Sequence, residues 1–281
     1  MLCYYDGDFR QFEQCSLPLS DMAIERGIAA FDSMRIYDGL PFRFDDHIKR
    51  LEYSCKFLNI EQENFRIIDT VKQKAREFLA SDASRGFNGY IKTSVTGGDI
   101  NNKGHFPAPR FCILFEPHKF HDDADRAKGF TTVLVNGGRP LPQIKTTCYS
   151  VGFHALAAAT ECDESIYVEK GTDITEGLIS TFFLVKNGRL ITAPLTRVLE
   201  SISRAVVLQV AEENGIEVEL RCPQVSEIAE ADEAFFAGSG KETMPIIKIN
   251  DTVLGNGKPG KLSVFLQQKF HELVERELKN N

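Results

Sequence analysis

Apolar residues recur every three or four positions in several stretches of the chain, which is the spacing of one face of an α-helix. Ile48, Leu51 and Cys55 show this spacing, and they follow an Asp45-Asp46 pair that is suited to cap a helix. The helices predicted in this way cover residues 47–59, 67–80, 151–161 and 201–214, with one more at the C-terminus. Short apolar runs rich in β-branched and aromatic residues predict strands at 89–95, 110–115, 130–135, 166–169, 181–185, 216–220 and 234–237.

Polar and glycine-rich stretches separate these elements into two groups. A charged run predicts a linker over 119–129, between an N-terminal domain at 1–118 and a C-terminal domain at 130–281. A long loop from Gly97 to Pro109 lies between two predicted strands, and Asn187-Gly188 predicts a two-residue hairpin turn. Hairpins outnumber β-α-β units in this pattern, which favours an α+β fold.

Composition and charge argue against several kinds of partner and site. The chain has 281 residues and a formal net charge of −7, and its basic residues are scattered, so nucleic acid is not expected as a partner. Its seven cysteines form no CxxC pair and its histidines lack metal-ligand spacing, so neither a disulfide framework nor a metal site is expected. The chain also lacks an apolar run near the roughly 20 residues of a membrane span. We therefore expect a cytoplasmic protein without a membrane anchor.

The most informative feature is an ordered set of short motifs. They are Leu19-Ser20-Asp21, Arg26-Gly27, Phe31-Asp32, residues 47–51, Ile144-Lys145, Thr175-Glu176-Gly177, residues 185–194, Ile202-Ser203-Arg204, Ala231-Asp232-Glu233 and residues 238–245. Together they resemble the fold-type IV enzymes that use pyridoxal 5'-phosphate (PLP), which include branched-chain aminotransferase, D-amino acid aminotransferase and aminodeoxychorismate lyase. The resemblance runs almost end to end. It implies a two-domain α+β fold, with a mixed α/β N-terminal domain and a larger β-rich C-terminal domain.

The resemblance also implies roles for individual residues. Lys145 would form a Schiff base with PLP and later move the substrate α-proton. Glu176, in what the sequence suggests is a turn, would pair with the pyridinium nitrogen, and Tyr149 would contact the phenolic oxygen. Contacts to phosphate or another anion are implied at Arg50, at Ile202 and Ser203 where a helix begins, and at Ser239 and Gly240 in a Gly-Ser-Gly turn.

The branched-chain type looks nearest, so the implied substrates are an amino acid and a 2-oxo acid. Tyr90 would help to bind the α-carboxylate, Lys92 stands where an arginine is usual, and Phe31 would form an apolar wall of the pocket. Ser239 and Gly240 would also face the substrate. Departures from the family pattern at Asp32, Lys92, Thr181, Ser201, Ser203 and Ser239 affect the inference about substrate more than the inference about cofactor.

Three alternatives accompany this interpretation. A lyase of the aminodeoxychorismate lyase type would use the same Schiff base, and an inactive family member would act by binding a partner. A nucleotide P-loop at Gly238-Ser239-Gly240-Lys241 is rejected, because Phe235 replaces the required glycine and Glu242 the required serine or threonine. The family also implies a homodimer. The apolar His105-Phe106-Pro107 stretch suggests that its loop reaches across to the partner subunit.

Overall fold

Two sheets organise the chain in the computed structural model, which describes residues 1–60, 66–99 and 106–280. Each sheet belongs to its own unit. The first unit comprises Met1–Lys119 with Ile144–Cys148, and the second comprises Phe120–Gln143 with Tyr149–Asn281. The predicted domain boundary would place residues 144–148 in the C-terminal domain, whereas the structure groups them with the first unit.

The first unit is a mixed layer of strands and helices. Its strands are β1 (Leu2–Tyr5), β2 (Asp8–Gln11), β3 (Ala29–Tyr37), β4 (Leu40–Pro41), β5 (Gly89–Asp99) and β6 (Ala108–Pro117). Its helices are α1 (Met22–Arg26), α2 (Phe44–Phe57) and α3 (Ile67–Leu79), with 3-10 turns at Phe12–Gln14 and Asp82–Ser84. The strands form an antiparallel sheet in the order β2-β1-β6-β5-β3-β4.

Helices α2 and α3 form because their apolar residues share one stripe. Ile48, Leu51 and Cys55 of α2 are buried in the same core cluster as Met34 and Ile91 of the sheet. Burying a large aliphatic side chain of this kind contributes about 1.5–3 kcal/mol, which exceeds the modest helical preference of such short segments. The two helices predicted in this region are therefore confirmed, with ends that differ by at most three residues.

The loop predicted between Gly97 and Pro109 is shorter in the structure, because β5 continues to Asp99 and β6 begins at Ala108. Phe106 is buried in the core of its own unit. A Cβ atom added to Gly97 would lie 2.8 Å from Cδ1 of Phe106, so the ring packs directly on that glycine. The idea that Phe106 needs a partner subunit to leave water is thus wrong, and His105 lies outside the described residues.

The second unit is built on a larger mixed sheet. Its strands are β7 (Phe130–Asn136), β8 (Glu164–Glu169), β9 (Asp173–Gly177), β10 (Thr181–Lys186), β11 (Arg189–Thr192), β12 (Val218–Leu220), β13 (Glu233–Gly238), β14 (Glu242–Ile249) and β15 (Thr252–Val253). Its helices are α4 (Asp123–Lys128), α5 (Ser150–Ala158), α6 (Ile202–Glu213) and α7 (Lys261–Lys279), with a 3-10 turn at Val225–Glu230. The sheet order is β12-β11-β10-β13-β14-β7-β8-β9, and β15 pairs with β14.

Local sequence explains most of these elements. Asn187 and Gly188 both have positive φ, 53° and 73°, and connect β10 to β11 as the hairpin signal predicts. The predicted linker contains α4, which Asp122 caps by accepting a hydrogen bond from the Asp125 N–H. Glu176 lies in strand β9 and not in a turn, because the buried residues around it pair with β8.

The structure and sequence agree on the class of fold, an α+β arrangement in two units. None of the helices in the described part of the chain combines the length and apolar character needed to cross a membrane.

Candidate active site

The backbone of Lys145 is fixed on both sides within the first unit. Its carbonyl oxygen accepts a hydrogen bond from the Phe31 N–H at 3.0 Å, and the adjacent Thr146 bridges to Ala30 of β3. Its own N–H donates to Oγ of Ser54 at 3.1 Å. The Nζ atom lies 4.6 Å from the centre of the Phe31 ring. The amine is therefore held at the start of β3, beside an aromatic face.

Arg50 belongs to a buried charge cluster in the same unit. Its Nε donates to Oδ2 of Asp32 at 2.8 Å, and its Nη2 donates to Oδ1 at 2.9 Å. Nδ1 of His47 lies 2.6 Å from the same Oδ1 atom. A two-point contact of this kind fixes the plane of the guanidinium, so Asp32 determines the direction in which Arg50 presents its charge.

The cluster has a defined ionisation. Burial alone would raise the pKa of Asp32, but the charges of Arg50 and His47 hold it below its ordinary value. Burial lowers the pKa of His47, against the opposing effect of Asp32, while Arg50 and Lys145 lower it further. Asp32 is therefore ionised and His47 neutral at pH 7, leaving the paired charges of Asp32 and Arg50 in balance.

Helix α2 connects the cluster to Lys145. Ser54 lies one turn after Arg50, and its hydroxyl donates to the Arg50 carbonyl at 2.9 Å while accepting the Lys145 N–H. One helix thus positions both the guanidinium and the backbone that carries the amine. Ser54 is fully buried, so water does not compete for either hydrogen bond.

Three of the five predicted substrate residues share one face of the first sheet. In the β3–β5 register, Phe31 pairs with Ser94, Ser33 with Lys92 and Arg35 with Tyr90. Paired residues point to the same face, so Phe31, Lys92 and Tyr90 lie together on the side opposite Asp32. A shared face is the arrangement that a common pocket wall requires.

Tyr90 and Lys92 already interact with their neighbours on this face. Burial raises the pKa of Tyr90 to about 12, so its phenol is a hydrogen-bond donor at neutral pH. Nζ of Lys92 pairs with Glu116 at 2.7 Å and lies 5.2 Å from the Tyr90 ring centre. Because Glu116 offsets the charge of Lys92, this lysine is a weaker carboxylate ligand than an unpaired arginine would be.

In the second unit, Glu176 is paired with an arginine that the sequence motifs did not single out. Nε of Arg139 donates to Oε1 of Glu176 at 2.8 Å, and both residues are buried. The Leu199 N–H donates to Oε2 at 3.4 Å. The guanidinium carbon of Arg139 also lies 5.7 Å from the centre of the Tyr149 ring. Arg139 thus contacts both residues that were predicted to hold the pyridine ring.

Ile202 and Ser203 form the first turn of α6. Ser201 caps this helix by accepting a hydrogen bond from the Arg204 N–H at 3.2 Å. Arg204 is buried, and its Nε atom has no hydrogen-bond partner among the described residues. Burial lowers the pKa of Arg204, partly offset by Glu200. A helix N-terminus beside a buried cation suits a phosphate, so this part of the chain fits the group that the motifs imply.

Ser239 and Gly240 lie in the turn between β13 and β14, which a buried carboxylate braces. Nζ of Lys241 contacts Oε2 of Glu164 at 3.0 Å. The Ser180 hydroxyl donates to the same oxygen at 3.0 Å, and the Ile179 N–H donates to Oε1 at 2.9 Å. A P-loop connects a strand to a helix and directs its lysine to the phosphates of a nucleotide. Here the turn connects two strands and Lys241 is directed to Glu164, so the structure also excludes a P-loop.

Comparison with known proteins identifies the family. Residues 29–249 match the family described as amino-transferase class IV. The chain belongs to the class IV aminotransferases. Enzymes of this class use PLP, which agrees with the anion-binding and carboxylate groups described above, and a solved branched-chain amino acid aminotransferase of the same fold contains pyridoxamine 5'-phosphate.

Individual relatives cover nearly the whole of this aminotransferase. The D-alanine aminotransferase of Bacillus licheniformis is 27% identical over 99% of this chain and 98% of its own length. The branched-chain-amino-acid aminotransferase of Salmonella typhimurium is 25% identical over 98% of this chain and 93% of its own. The structure of the branched-chain aminotransferase of Thermoproteus uzoniensis with norvaline has a TM-score of 0.84 at 23% identity, covering 98% of this chain and 94% of that one. The fold class and the family predicted from the sequence are confirmed.

Proposed function

We propose that this class IV aminotransferase moves an amino group from a branched-chain type of amino acid to a 2-oxo acid, with PLP attached covalently to Lys145. The observation that carries the assignment is the placement of Lys145. Its backbone is hydrogen-bonded to β3 and to Ser54, on the helix that also presents Arg50. A lysine that first holds the cofactor and then carries a proton must keep its backbone in one place, and this anchoring supports the assignment.

The remaining residues suit binding and proton transfer. PLP, when bound, supplies an electron sink for the charge that develops at the substrate α-carbon. When the substrate amine takes its place on the cofactor, Nζ of Lys145 would be free to take and return the α-proton. The Glu176 carboxylate would hold a proton at the pyridine nitrogen, and the Tyr149 hydroxyl would orient the phenolic oxygen. In the second unit, the N–H groups and hydroxyl at Ile202 and Ser203 would bind the phosphate, and the family resemblance assigns a phosphate contact to Arg50 as well.

The substrate would lie against the shared face of Phe31, Tyr90 and Lys92. The Phe31 ring supplies apolar surface for a branched side chain, and the neutral Tyr90 phenol supplies a donor for the α-carboxylate. The family resemblance assigns further donors to Ser239 and Gly240, which lie in the braced turn of the second unit. The two relatives described above are both aminotransferases, one named for D-alanine and one for branched-chain amino acids. Their names therefore favour an aminotransferase over the lyase alternative.

We also propose a cytoplasmic homodimer. The family resemblance supports the dimer, and the seven free cysteines are consistent with a reducing compartment. Light scattering at assay concentration tests the assembly. A monomer mass with full activity would contradict it.

Borohydride reduction of the PLP-loaded protein followed by peptide mapping tests the assignment of Lys145. We expect the label on Lys145, and loss of turnover by several orders of magnitude in Lys145→Ala, which lacks both the attachment point and the proton carrier. Lys49→Ala on α2 is the matched control, because Lys49 is 76% exposed and should leave labelling and turnover unchanged. A label on another lysine would reject the assignment.

The substrate class is tested separately. Single additions of amino acids to the PLP-loaded protein should change its absorption spectrum, and branched-chain amino acids should do so at the lowest concentrations. A faster response to D-alanine than to any branched-chain amino acid would reject the substrate assignment while leaving the cofactor assignment intact.

A further inference from the structure

We propose that Arg139 is a positioning residue for the cofactor ring, which holds Glu176 and Tyr149 in place and supplies a buried positive charge beside both. This assignment rests on the proposed roles of Glu176 and Tyr149. Every contact that supports it lies within the second unit.

The backbone before Arg139 is shaped for close approach. Gly137 has φ of +131° and its N–H donates to the Val168 carbonyl at 2.9 Å, which ties the segment to β8. A Cβ atom on Gly138 would lie 2.3 Å from Oε1 of Glu169. The positive φ therefore requires glycine at position 137, and the absence of a side chain at Gly138 leaves room for the Glu169 carboxylate. The next residue, Arg139, is placed directly beside the strand pair that carries Glu176.

The Arg139 side chain is held at three points. Its Nε donates to Glu176 at 2.8 Å, its Nη2 donates to the Pro142 carbonyl at 2.7 Å, and its guanidinium faces the Tyr149 ring. The side chains of Arg139 and Glu176 are only 2% and 9% exposed. A guanidinium held in this way has one orientation, so it fixes the orientation of the carboxylate that it binds.

The charge of Arg139 has a chemical consequence. A buried carboxylate without a partner tends to take up a proton, and a neutral Glu176 could not pair with a protonated ring nitrogen. Burial opposes a charged Arg139, but Glu176 and Tyr149 raise its pKa above the ordinary value. The guanidinium therefore stays charged, keeps Glu176 ionised, and disfavours additional protonation nearby.

Tyr149, Tyr167 and Glu164 are further ionisable groups near this pair. Tyr149 precedes α5, and Tyr167 and Glu164 both lie on β8. Burial raises the pKa of Tyr167, so it is uncharged at neutral pH, and Glu164 is engaged with Lys241. Arg139 is thus a cation in direct contact with Glu176, and its removal should be visible in the titration of a bound ligand.

The test is a pH titration of the absorption spectrum of PLP bound to the wild type and to Arg139→Met. Removing a nearby cation makes protonation of the Schiff-base nitrogen of the bound cofactor easier, so the spectral midpoint should rise by roughly half a unit to one unit. Arg139→Lys should return the midpoint most of the way, because it restores the charge. Arg139→Gln, which keeps a hydrogen-bond donor without charge, should behave like Arg139→Met.

Arg197→Met is the matched control. Arg197 pairs with Glu169 at 2.8 Å and with Asp173 at 3.1 Å, so its loss also removes ion pairs from the β8–β9 region. It should lower stability without moving the spectral midpoint. An unmoved midpoint in both uncharged Arg139 variants, with PLP still attached to Lys145, would overturn the role of Arg139 alone.

A second measurement separates this role from simple structural support. In the apo protein at pH 7 to 8, Arg139→Met leaves Glu176 buried without its guanidinium and should lower the urea midpoint. Adding Glu176→Gln should recover part of that loss, because the carboxylate charge that Arg139 balanced is gone. No recovery would show that Arg139 does not act through Glu176. Absence of the Lys145 label in the wild type would instead reject the proposed function.

Discussion

The neutral, buried His47 should make the apo protein sensitive to mild acid. Burial lowers its pKa in the folded state, whereas in the unfolded chain it titrates near its ordinary value of about 6.5. Between these two values the unfolded chain binds a proton that the folded chain does not. The free energy of unfolding therefore falls as the pH drops below about 6.5.

The size of this effect has a ceiling, because one histidine exchanges one proton. The slope cannot exceed about 1.4 kcal/mol per pH unit, which gives a loss of at most about 1.2 kcal/mol between pH 7 and 5.5. Asp32 does not contribute in this window. Its folded pKa is lowered, so its stabilising contribution is complete above about pH 4 and is lost only in stronger acid.

Urea unfolding of the apo protein at several pH values from 5.5 to 7 measures this effect. His47→Gln should reduce the pH dependence of the unfolding free energy by up to about 1.2 kcal/mol over the range, since glutamine can donate to Asp32 but does not titrate. His154→Gln is the control, because His154 is exposed on α5 and should leave the dependence unchanged. A His47→Gln protein with the same pH dependence as the wild type would refute the reasoning.

Two further predictions concern the charge pairs. Arg50→Ala should weaken PLP binding by roughly 1.5–3 kcal/mol, as measured by fluorescence titration, and Lys49→Ala should leave the dissociation constant unchanged. Glu164→Gln should lower the free energy of unfolding by about 3–5 kcal/mol, because Lys241 would be left buried without a counter-ion. Glu217→Gln is the control, because it removes an exposed ion pair with Arg189 and should lower the free energy of unfolding by less than about 1 kcal/mol. Equal losses in Glu164→Gln and Glu217→Gln, both measured by urea unfolding, would contradict the prediction.

Much of the local structure follows from sequence patterns, because it depends on neighbours in the chain. The stripe of Ile48, Leu51 and Cys55 predicts α2, and Asn187-Gly188 predicts the β10–β11 hairpin. Each signal involves residues within one or two turns of each other. The family, the fold class and the cofactor could be predicted for a different reason, since the order of the motifs is specific even though each motif is short.

Long-range pairings could not be predicted in this way. The segment around Lys145 is hydrogen-bonded to β3 and to Ser54, which lie more than 90 residues earlier in the chain. The contact with β3 is a single bridge between Thr146 and Ala30, which is too short to produce a periodic pattern in the sequence. Asp32 could be seen only as a departure from the family glutamate, although in the structure its carboxylate fixes Arg50. Arg139 follows two glycines and precedes a proline, a context typical of a solvated loop residue, and nothing local indicates that it is buried.

Asp32, Arg139 and Glu164, whose roles could not be predicted from the sequence, share one physical feature: each orients another group through a buried ion pair. Asp32 orients Arg50, Arg139 orients Glu176, and Glu164 braces the turn that contains Ser239. Each pair is buried, and taking two charges out of water costs about as much as their attraction returns. These ion pairs are therefore not expected to be the main source of the stability of the fold. They instead fix the orientation of the charged side chains, because a charge held by a fixed partner does not have to reorganise when a ligand binds or when charge develops during a reaction.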